Sequence, residues 1–238
     1  MKIALIGYGK MGKEIKTLAI EKNHEIVLEV NTHNIHTITV DDLKKADVAI
    51  EFTNPGGVVK NILKCFDANI PVVVGTTGWH TRIDELKQIC TDRNQTMFYA
   101  SNFSIGMNIF FRMNDFLSKI MNHYPDYDVF IQEIHHKHKV DSPSGTAITL
   151  ANQIVKNIDR KEYWVNEDSD VTKELSIISD REEEVAGTHI VNYFSEVDDI
   201  ELTHVANSRK GFAVGAITAA EWVIGKKGVF GMDDLLKF

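Results

Sequence analysis

The sequence predicts an α/β protein: a parallel sheet in the first half, then an α+β domain built on a mixed or antiparallel sheet. Up to about residue 103, short apolar runs alternate with stretches of helical periodicity. This is the pattern of parallel strands joined by helical crossovers. Further along, two β-rich runs at 188–196 and 199–206 are separated only by Val197-Asp198. Strands joined so closely favour a hairpin, and therefore antiparallel pairing.

The composition is that of a globular protein. Of the 238 residues, 43% are hydrophobic and 25% charged, which excludes disordered, collagen-like and coiled-coil chains. The net charge of −8 offers no basic surface for nucleic acid, and no apolar run approaches the roughly 20 residues of a membrane span. The first residues show no secretory signal, and Cys65 and Cys90 have no metal or redox spacing. We therefore expect a cytoplasmic protein with reduced thiols and no nucleic-acid or membrane partner.

Hydrophobic periodicity places the elements of the first half. Met11, Ile15, Leu18 and Ala19 recur on one face of the first helix. The apolar run Ile70–Val74 suits a strand buried on both sides. The expected strands are Lys2–Ile6, Glu25–Val30, Ala46–Phe52, Ile70–Val74 and 96–100, and the expected helices are 11–22, Val58–Phe66 and 81–92.

The second half is predicted to begin with a long helix. Residues 160–184 are polar and end in three glutamates, so we expect a solvated loop or a weak sheet edge there. The residues after Ile224 are expected to form a short tail. The remaining expected elements are helices at Ser104–His123, 145–158 and Ala213–Ile224 and a strand at Asp128–Glu133.

A glycine-rich loop follows the first strand. Gly7-Tyr8-Gly9-Lys10-Met11-Gly12 fits G-x-G-x-x-G and lies between a predicted strand and a predicted helix, which is the context that this motif requires. Gly7 permits the tight turn, Gly9 lets a pyrophosphate approach the backbone, and Gly12 lets the helix pack closely on the strand. The helix N-terminus then attracts the phosphates. The loop predicts dinucleotide binding, with a ligand-free βα turn as the alternative.

Three further segments are candidates for contact with the cofactor. An acidic residue about 20 positions after the loop would hold the ribose, and Glu29 and Asn31 are the candidates. No arginine follows to bind a 2′-phosphate, although Lys10 could do so, and the choice between NADH and NADPH stays open. The loops Phe52–Pro55 and Gly75–Gly78 end two predicted parallel strands, where ligands bind in such sheets. Ordinary turn chemistry is the alternative for both loops.

A cluster of histidines and lysines is the most informative stretch. His135, His136 and His138 fall within four residues and are followed by Lys139. Ser144 is placed to cap the next helix, whose free N–H groups would bind a carboxylate. The cluster predicts a pocket for a small anion with a general acid. A zinc site formed by the three histidines and a solvated basic loop are the alternatives.

Several motifs resemble the 4-hydroxy-tetrahydrodipicolinate reductase (dihydrodipicolinate reductase) family of lysine and diaminopimelate biosynthesis. They occur in the order of that family, and the block at 133–147 is the most specific of them. The motifs are G-Y-G-K-M-G, E-F-T-N-P, V-G-T-T-G, S-N-F-S-I-G-M-N, E-I-H-H-K-H-K-V-D-S-P-S-G-T-A and, at 206–216, A-N-S-R-K-G-F-A-V-G-A.

The resemblance implies a Rossmann-like domain formed by residues 1–103 and 214–238. Residues 104–213 would bind a small dicarboxylate substrate and form a homotetramer through their sheet. The implied reaction is the NAD(P)H-dependent reduction of 4-hydroxy-tetrahydrodipicolinate to tetrahydrodipicolinate. Short loops at 31–45 and 160–184 depart from the family pattern, and the ribose-binding position falls near Asn31.

The resemblance also implies roles for individual residues. His135 would be the acid/base histidine and Lys139 the proton donor, while His136, Gly145 and Thr146 would bind the substrate carboxylates. The implied cofactor contacts are Gly7, Tyr8, Gly9, Lys10, Met11, Gly12, Asn31, Phe52, Thr53, Gly75, Thr76, Thr77, Ala100, Ser101, Asn102 and Phe103. The alternatives are a dehydrogenase of another small imino or oxo acid and a non-catalytic module that senses NAD(H).

Overall fold

The computed structural model describes all 238 residues, and the chain forms two compact units. Residues Met1–Ile105 and Lys210–Phe238 make the first unit, and Gly106–Arg209 make the second. None of the helices has both the length and the apolar character needed to cross a bilayer.

The elements in chain order are β1 (Lys2–Ile6), α1 (Lys10–Glu21), β2 (Glu25–Val30), α2 (Val40–Leu43), β3 (Val48–Glu51), α3 (Val58–Asp67), β4 (Val72–Val74), a 3-10 turn (His80–Arg82), α4 (Ile83–Asp92), β5 (Thr96–Tyr99), α5 (Ile105–Met121), β6 (Asp128–His136), α6 (Gly145–Asn157), β7 (Tyr163–Val165), β8 (Glu174–Glu182), β9 (Thr188–Phe194), β10 (Asp199–Val205), α7 (Lys210–Val223), β11 (Gly228–Phe230) and α8 (Met232–Leu236).

The first unit is built on a six-stranded parallel sheet in the order β11-β5-β4-β3-β1-β2. Strands β3 and β4 are buried throughout, because apolar clusters cover both faces of the sheet. Alanines at 213, 216, 219 and 220 let α7 pack closely in one of these clusters. The strand order reverses between β1 and β3, and the carboxyl ends of strands at such a switch point are where open α/β sheets bind ligands.

The sequence predicted that the residues after Ile224 form a short tail. The structure shows that this prediction is wrong. Gly228–Phe230 adds a sixth parallel strand by pairing with Thr96–Phe98, and a short helix, α8, follows. The Phe230 ring lies 5.2 Å from that of Trp222. Three residues are too few to show periodicity, so only the neighbouring strand and helix make this segment a strand.

The second unit has a five-stranded mixed sheet in the order β10-β9-β6-β8-β7. Strand β6 runs parallel to β8 and antiparallel to β9, and β9 and β10 form the predicted hairpin. Helices α5 and α6 share one apolar cluster with the inward residues of the sheet. Along β6, buried and half-buried residues alternate strictly, which is the pattern of a sheet with one covered face.

Residues 160–184 are also more ordered than the sequence analysis expected. They contain β7 and β8, and β8 is an interior strand between β6 and β7. Leu175 and Ile177 are buried in it, while its polar residues have partners across the sheet, such as the hydrogen bond from Gln132 to Asp180 (2.7 Å). When polar side chains have hydrogen-bond partners on a neighbouring strand, the hydrophobic periodicity of their own segment does not reveal that it is a strand. The predicted end of the preceding strand at Glu133 is also too early, because β6 continues to His136.

Candidate active site

The three glycines of the first loop differ in how much space surrounds them, as the motif predicts. Gly7 has a φ of +105°, and a Cβ there would lie 2.0 Å from the Phe52 carbonyl oxygen. A Cβ at Gly12 would lie 2.1 Å from the carbonyl oxygen of Gly7. Both positions therefore exclude any side chain. A Cβ at Gly9 would meet nothing within 4 Å, so Gly9 is the position that leaves open space beside the backbone.

The N-terminus of α1 suits an anion. Gly9 occupies the N-cap and makes no side-chain hydrogen bond, and the first turn contains no acidic residue. The first N–H groups of a helix lack partners within the helix and carry its partial positive charge. Lys10 adds a full positive charge at the same end of α1. These donors fit the pyrophosphate of a dinucleotide.

A cavity of about 380 Å³ lies beside this loop, which is within the usual range for small-molecule sites. Residues from three predicted cofactor segments, each following a parallel strand, come together around it. The lining residues are Gly9, Lys10, Met11, Gly12, Phe52, Thr53, Pro55, Gly75, Thr76 and Thr77.

The candidate ribose ligands lie outside the lining of this cavity and are engaged elsewhere. The Glu29 carboxylate accepts a hydrogen bond from Lys16 Nζ at 2.5 Å. The side-chain oxygen of Asn31 accepts the backbone N–H groups of His33 (2.8 Å) and Asn34 (3.3 Å), so it closes the turn after β2. Glu29 is thus paired with the positive charge of Lys16, and the Asn31 side chain stabilises the turn after β2.

The segment 100–103, also predicted to contact the cofactor, does not line the cavity either. Ala100 and Phe103 are buried, and the Phe103 ring lies 5.6 Å from that of Phe52, which does line it. Asn102 accepts a hydrogen bond from the Ser104 N–H at 2.9 Å, and Ser101 is exposed. Tyr8 is half-buried, with the Lys16 ammonium 5.4 Å from its ring centre. Within the first unit, Phe103 therefore supports the cavity through Phe52.

A buried carboxyl group beside the cavity was missed in the sequence analysis. Glu51, the last residue of β3, is fully buried, and its Oε1 accepts hydrogen bonds from the Thr53 hydroxyl and from Asn61 Nδ2 (3.1 Å). The Thr53 N–H in turn donates to the Thr76 hydroxyl at 2.7 Å. Burial raises the pKa of Glu51. An acidic residue at the end of an otherwise apolar strand was the available signal.

In the second unit, the predicted catalytic histidine lies inside the sheet. His135 shares the buried face of β6 with Glu133. Its Nδ1 atom is 3.5 Å from Glu133 Oε2, and Nε2 of His189, on β9, is 3.6 Å from the same oxygen. The two imidazole rings meet edge to face at 5.0 Å. Neither Glu133 nor His189 was predicted as a site residue, since each lies within an ordinary strand pattern.

Charge and burial act in opposite directions in this cluster. Burial by itself would raise the pKa of Glu133, but the nearby His189 imidazole and hydrogen bonds from Ser144 and Ser179 outweigh burial and hold the pKa at about 2. Burial lowers the pKa of His135 to about 4, although Glu133 opposes this shift. At neutral pH the cluster therefore combines an ionised carboxylate with a neutral imidazole.

Ser144 caps α6 as the sequence predicts. Its hydroxyl accepts the Ala147 N–H at 3.1 Å, the first turn of α6 contains no acidic residue, and a Cβ at Gly145 would meet nothing within 4 Å. Thr146 follows in the same turn. This helix N-terminus is built as an anion-binding site would be.

His138 and Lys139 lie beyond the end of β6, and His136 is its last residue. Lys139 Nζ donates to both carboxylate oxygens of Asp141 at 2.8 Å, which lowers the pKa of Asp141. His136 is the last residue of β6, and alternation places it on the face opposite His135. Its ring lies 6.3 Å from that of His138.

The zinc alternative named the wrong set of residues. It required His135, His136 and His138 to converge, and the alternation along β6 separates the first two. The ligand atoms that do converge, within 4.8 Å of one another, belong to Glu133, His135 and His189.

A parallel-sheet unit with a dinucleotide loop at its switch point, followed by a unit rich in cationic and imidazole groups, defines a class: the nicotinamide-nucleotide-dependent oxidoreductases of small acids. Comparison with known proteins narrows this class. The family models described as "Dihydrodipicolinate reductase, N-terminus" and "Dihydrodipicolinate reductase, C-terminus" match residues 1–103 and 106–236. The chain belongs to the dihydrodipicolinate reductase family, which confirms the resemblance stated from its motifs and the expected class of enzyme.

Named relatives agree with this assignment. The chain is 46% identical over 236 residues to the 4-hydroxy-tetrahydrodipicolinate reductase of Christiangramia forsetii, covering 99% of this chain and 98% of the relative. The reductase of Archaeoglobus fulgidus is 33% identical over the full length of both chains. A solved dipicolinate-bound dihydrodipicolinate reductase from Paenisporosarcina sp. TG-14 has a TM-score of 0.77 at 24% identity and covers 97% of each chain. It confirms the predicted fold, a Rossmann-like parallel sheet with a second mixed sheet.

Proposed function

We propose that the chain reduces 4-hydroxy-tetrahydrodipicolinate to tetrahydrodipicolinate, using NADH or NADPH, in lysine and diaminopimelate biosynthesis. The observation that carries this proposal is the 46% identity, over nearly the whole chain, to a reductase with that activity in its name. When bound, the reduced nicotinamide supplies a hydride; one proton is also added, and the 4-hydroxyl group leaves as water. The residues of this chain have to bind the dicarboxylate and supply the proton.

The N-terminus of α6 is the proposed site for a substrate carboxylate. The backbone N–H groups of Gly145 and Thr146 lie in its first turn, where no acidic side chain competes. The open space beside Gly145 lets an oxyanion approach these donors. We assign His136 to the same task, as the family motif implies. His136 lies at the end of β6, three residues after Glu133, which binds Ser144.

Lys139 is the proposed proton donor. Its ammonium group is held by Asp141 through two hydrogen bonds, which fix its position. His135 is the poorer donor in the free protein, because burial holds its pKa at about 4 and it is neutral at pH 7. A bound dianion would favour the protonated form of this imidazole. His135 therefore serves as the hydrogen-bonding partner and acid/base group of the complex, while Lys139 delivers the proton.

Either nucleotide is proposed to serve as cofactor. A dedicated NADH site would present a free carboxylate to the ribose hydroxyls, but Glu29 is paired with Lys16. A dedicated NADPH site would present an arginine, and none follows β2 closely. Lys10, which lines the cavity, provides positive charge that a 2′-phosphate would accept and that NADH does not require.

We further propose that the protein is a homotetramer joined through the sheet of the second unit. Both helices packed in this unit cover one face of the sheet. The other face carries half-buried apolar residues, among them Phe130 and Ile134 of β6, and the Phe130 ring contacts that of Phe194 at 5.9 Å. An uncovered sheet face with aromatic residues suits association of identical subunits.

We place the enzyme in the cytoplasm, where its nucleotide cofactor is available. Cys65 and Cys90 are free and buried, and burial raises the pKa of both thiols. Such thiols are packing residues that need no oxidising compartment.

Absorbance at 340 nm tests the reaction directly. Freshly prepared substrate is added to the purified protein with NADH or with NADPH, and kcat and KM are measured for each nucleotide. Consumption of both nucleotides at comparable rates supports the proposal. Nucleotide binding without consumption, across a panel of cyclic and open-chain imino acids, would identify a sensor instead. Consumption only with another imino or oxo acid would identify a different dehydrogenase.

A further inference from the structure

A row of polar residues crosses the sheet of the second unit beneath its helices. The register pairs Glu133 on β6 with Ser179 on β8 and with His189 on β9, and it pairs His189 with His204 on β10. Cross-strand partners lie on the same face of a sheet, and Glu133 and His189 are buried. Four polar side chains thus occupy one line on the face that otherwise forms the apolar core.

Glu133 stands at the centre of this row and uses its two oxygens differently. Oε1 accepts the Ser144 N–H at 2.9 Å and the Ser179 hydroxyl at 2.8 Å. Oε2 is buried and makes no hydrogen bond. It faces His135 Nδ1 at 3.5 Å and His189 Nε2 at 3.6 Å. An ionised oxygen without a donor is costly to bury, so its position between two imidazole nitrogens requires an explanation.

His189 connects the same carboxylate to the substrate-binding helix. Its Nε2 lies 3.2 Å from the Ser144 hydroxyl oxygen, and the two groups share a hydrogen bond. Ser144 is also the N-cap of α6 and donates its backbone N–H to Glu133. One buried cluster therefore contacts both the candidate acid/base imidazole and the residue that fixes the N-terminus of α6.

We propose that Glu133 and His189 are positioning residues for the reduction. Glu133 Oε2 receives the Nδ1–H of His135 and thereby fixes its tautomer, with Nε2 as the reactive nitrogen. His189 holds Ser144, and with it the carboxylate-binding turn of α6, at a set distance from that imidazole. This inference rests on the proposed function for the roles of His135 and α6.

The surroundings of His135 agree with this assignment of its nitrogens. A Cβ at Gly187 would lie 3.1 Å from His135 Nε2, so the absence of a side chain at Gly187 leaves Nε2 accessible. Nδ1 is buried against the carboxylate. A carboxylate on one imidazole nitrogen is the usual means of directing the other nitrogen toward a reaction.

A metal ion held by Glu133, His135 and His189 is the competing interpretation. Arg181 Nη1 lies 3.9 Å from Glu133 Oε1, and Lys139 and Arg181 are both close enough to His135 to oppose its protonation. These positive charges would repel a cation in the same place. A positioning role for Glu133 and His189 places no further cation beside Lys139 and Arg181.

Four variants separate positioning from a general structural role. Glu133→Gln keeps the oxygen that binds Ser144 and Ser179 but presents an N–H to His135 Nδ1, which reverses the tautomer. His189→Leu removes the partner of Ser144, while His189→Gln keeps a polar group near the position of Nε2. His204→Leu is the matched control, because it removes the imidazole next along the same row.

We expect Glu133→Gln to lower kcat by about 10- to 100-fold, the usual cost of losing an orienting partner, with KM for the substrate within about threefold of wild type. His189→Leu should raise that KM by about tenfold and also lower kcat, and His189→Gln should recover most of the loss. His204→Leu should stay within about twofold in both. Equal losses in His189→Leu and His204→Leu would overturn the proposal, as would wild-type kcat in Glu133→Gln.

Nuclear magnetic resonance of histidine labelled with ¹⁵N provides a test that needs no turnover. Only ten histidines contribute signals, and His135→Asn identifies the one of interest. Protonation at Nδ1 in the wild type and at Nε2 in Glu133→Gln supports the proposal, even if the wild type reduces no substrate. The reverse tautomer would overturn it. One equivalent of tightly bound zinc, lost in His189→Leu, would overturn it in favour of a metal centre.

Discussion

Each unit buries one carboxyl group next to its candidate site, and the two groups behave in opposite ways. Glu51 and Glu133 are both fully buried. Burial raises the pKa of Glu51 despite hydrogen bonds from Thr53, Thr76 and Asn61. The pKa of Glu133 is held at about 2 by a backbone N–H, hydroxyl groups and an imidazole. The difference shows that burial raises the pKa of a carboxyl group unless the donors around it are strong enough to outweigh burial.

The opposite pKa shifts of the two carboxyl groups suit the different surroundings in the two units. The carboxyl group of the first unit orients hydroxyls around the cavity that we propose as the pyrophosphate site, where a further negative charge would be unfavourable. The carboxylate of the second unit faces two imidazoles and an arginine, where negative charge balances the surroundings. We therefore expect changes of charge to alter chemistry in the second unit and binding or packing in the first.

Replacing Lys139 with alanine is the largest expected effect. Loss of the proton donor should lower kcat by about 10²- to 10⁴-fold, while the Kd for NADPH, measured by fluorescence, should stay unchanged, because the cavity belongs to the first unit. Lys137→Ala is the control, since Lys137 is exposed and paired only with Glu183. Near-normal kcat in Lys139→Ala would remove the assigned role.

The stability of the protein should fall in mild acid because of His135. Its pKa is about 4 in the folded state against 6.5 when exposed, so the unfolded chain binds a proton first. Stability from this group is complete above pH 6.5 and is lost as the pH falls toward 4, by up to about 3 kcal/mol. Denaturant unfolding at several pH values should show a shallower decline in His135→Asn. An identical decline in both proteins would show that His135 is not the group responsible.

Two glycine variants distinguish packing from ligand binding in the first unit. Gly12→Ala places a Cβ 2.1 Å from the Gly7 carbonyl oxygen and should lower the free energy of unfolding by about 1–3 kcal/mol. Gly9→Ala meets no protein atom within 4 Å, so it should leave the melting temperature nearly unchanged and weaken nucleotide binding. If Gly9→Ala bound nucleotide as the wild type does, the cavity would not be the pyrophosphate site.

The two carboxyl groups themselves give the smallest and most direct comparison. Glu133→Gln replaces an ionised group and leaves charged neighbours uncompensated, so we expect a loss of about 1–3 kcal/mol in the free energy of unfolding at pH 7. Glu51→Gln keeps the shape and the hydrogen bond acceptor of a group that burial already pushes toward the neutral form, and should cost less than about 1 kcal/mol. Urea denaturation at pH 7 measures both losses. Equal losses would contradict the expected difference between the surroundings of the two carboxyl groups.

Local patterns in the sequence determined much of this protein. The glycine loop, the buried valine strand, the Ser144 cap and the hairpin at 188–206 all depend on residues a few positions apart, and the structure has each of them. The sequence also carried the motifs that identify the family. Each of these features needs only the steric and hydrogen-bonding properties of a short segment.

The tertiary structure decided what depends on neighbouring strands. It made β8 an interior strand and Gly228–Phe230 a sixth parallel strand, extended β6 to His136, and turned His135 and His136 to opposite faces of the sheet. It also brought Glu133 beside His189, 56 positions later in the sequence. A buried carboxylate and a distant imidazole become partners only when cross-strand register aligns them, and register is set by the packing of the whole sheet rather than by either segment.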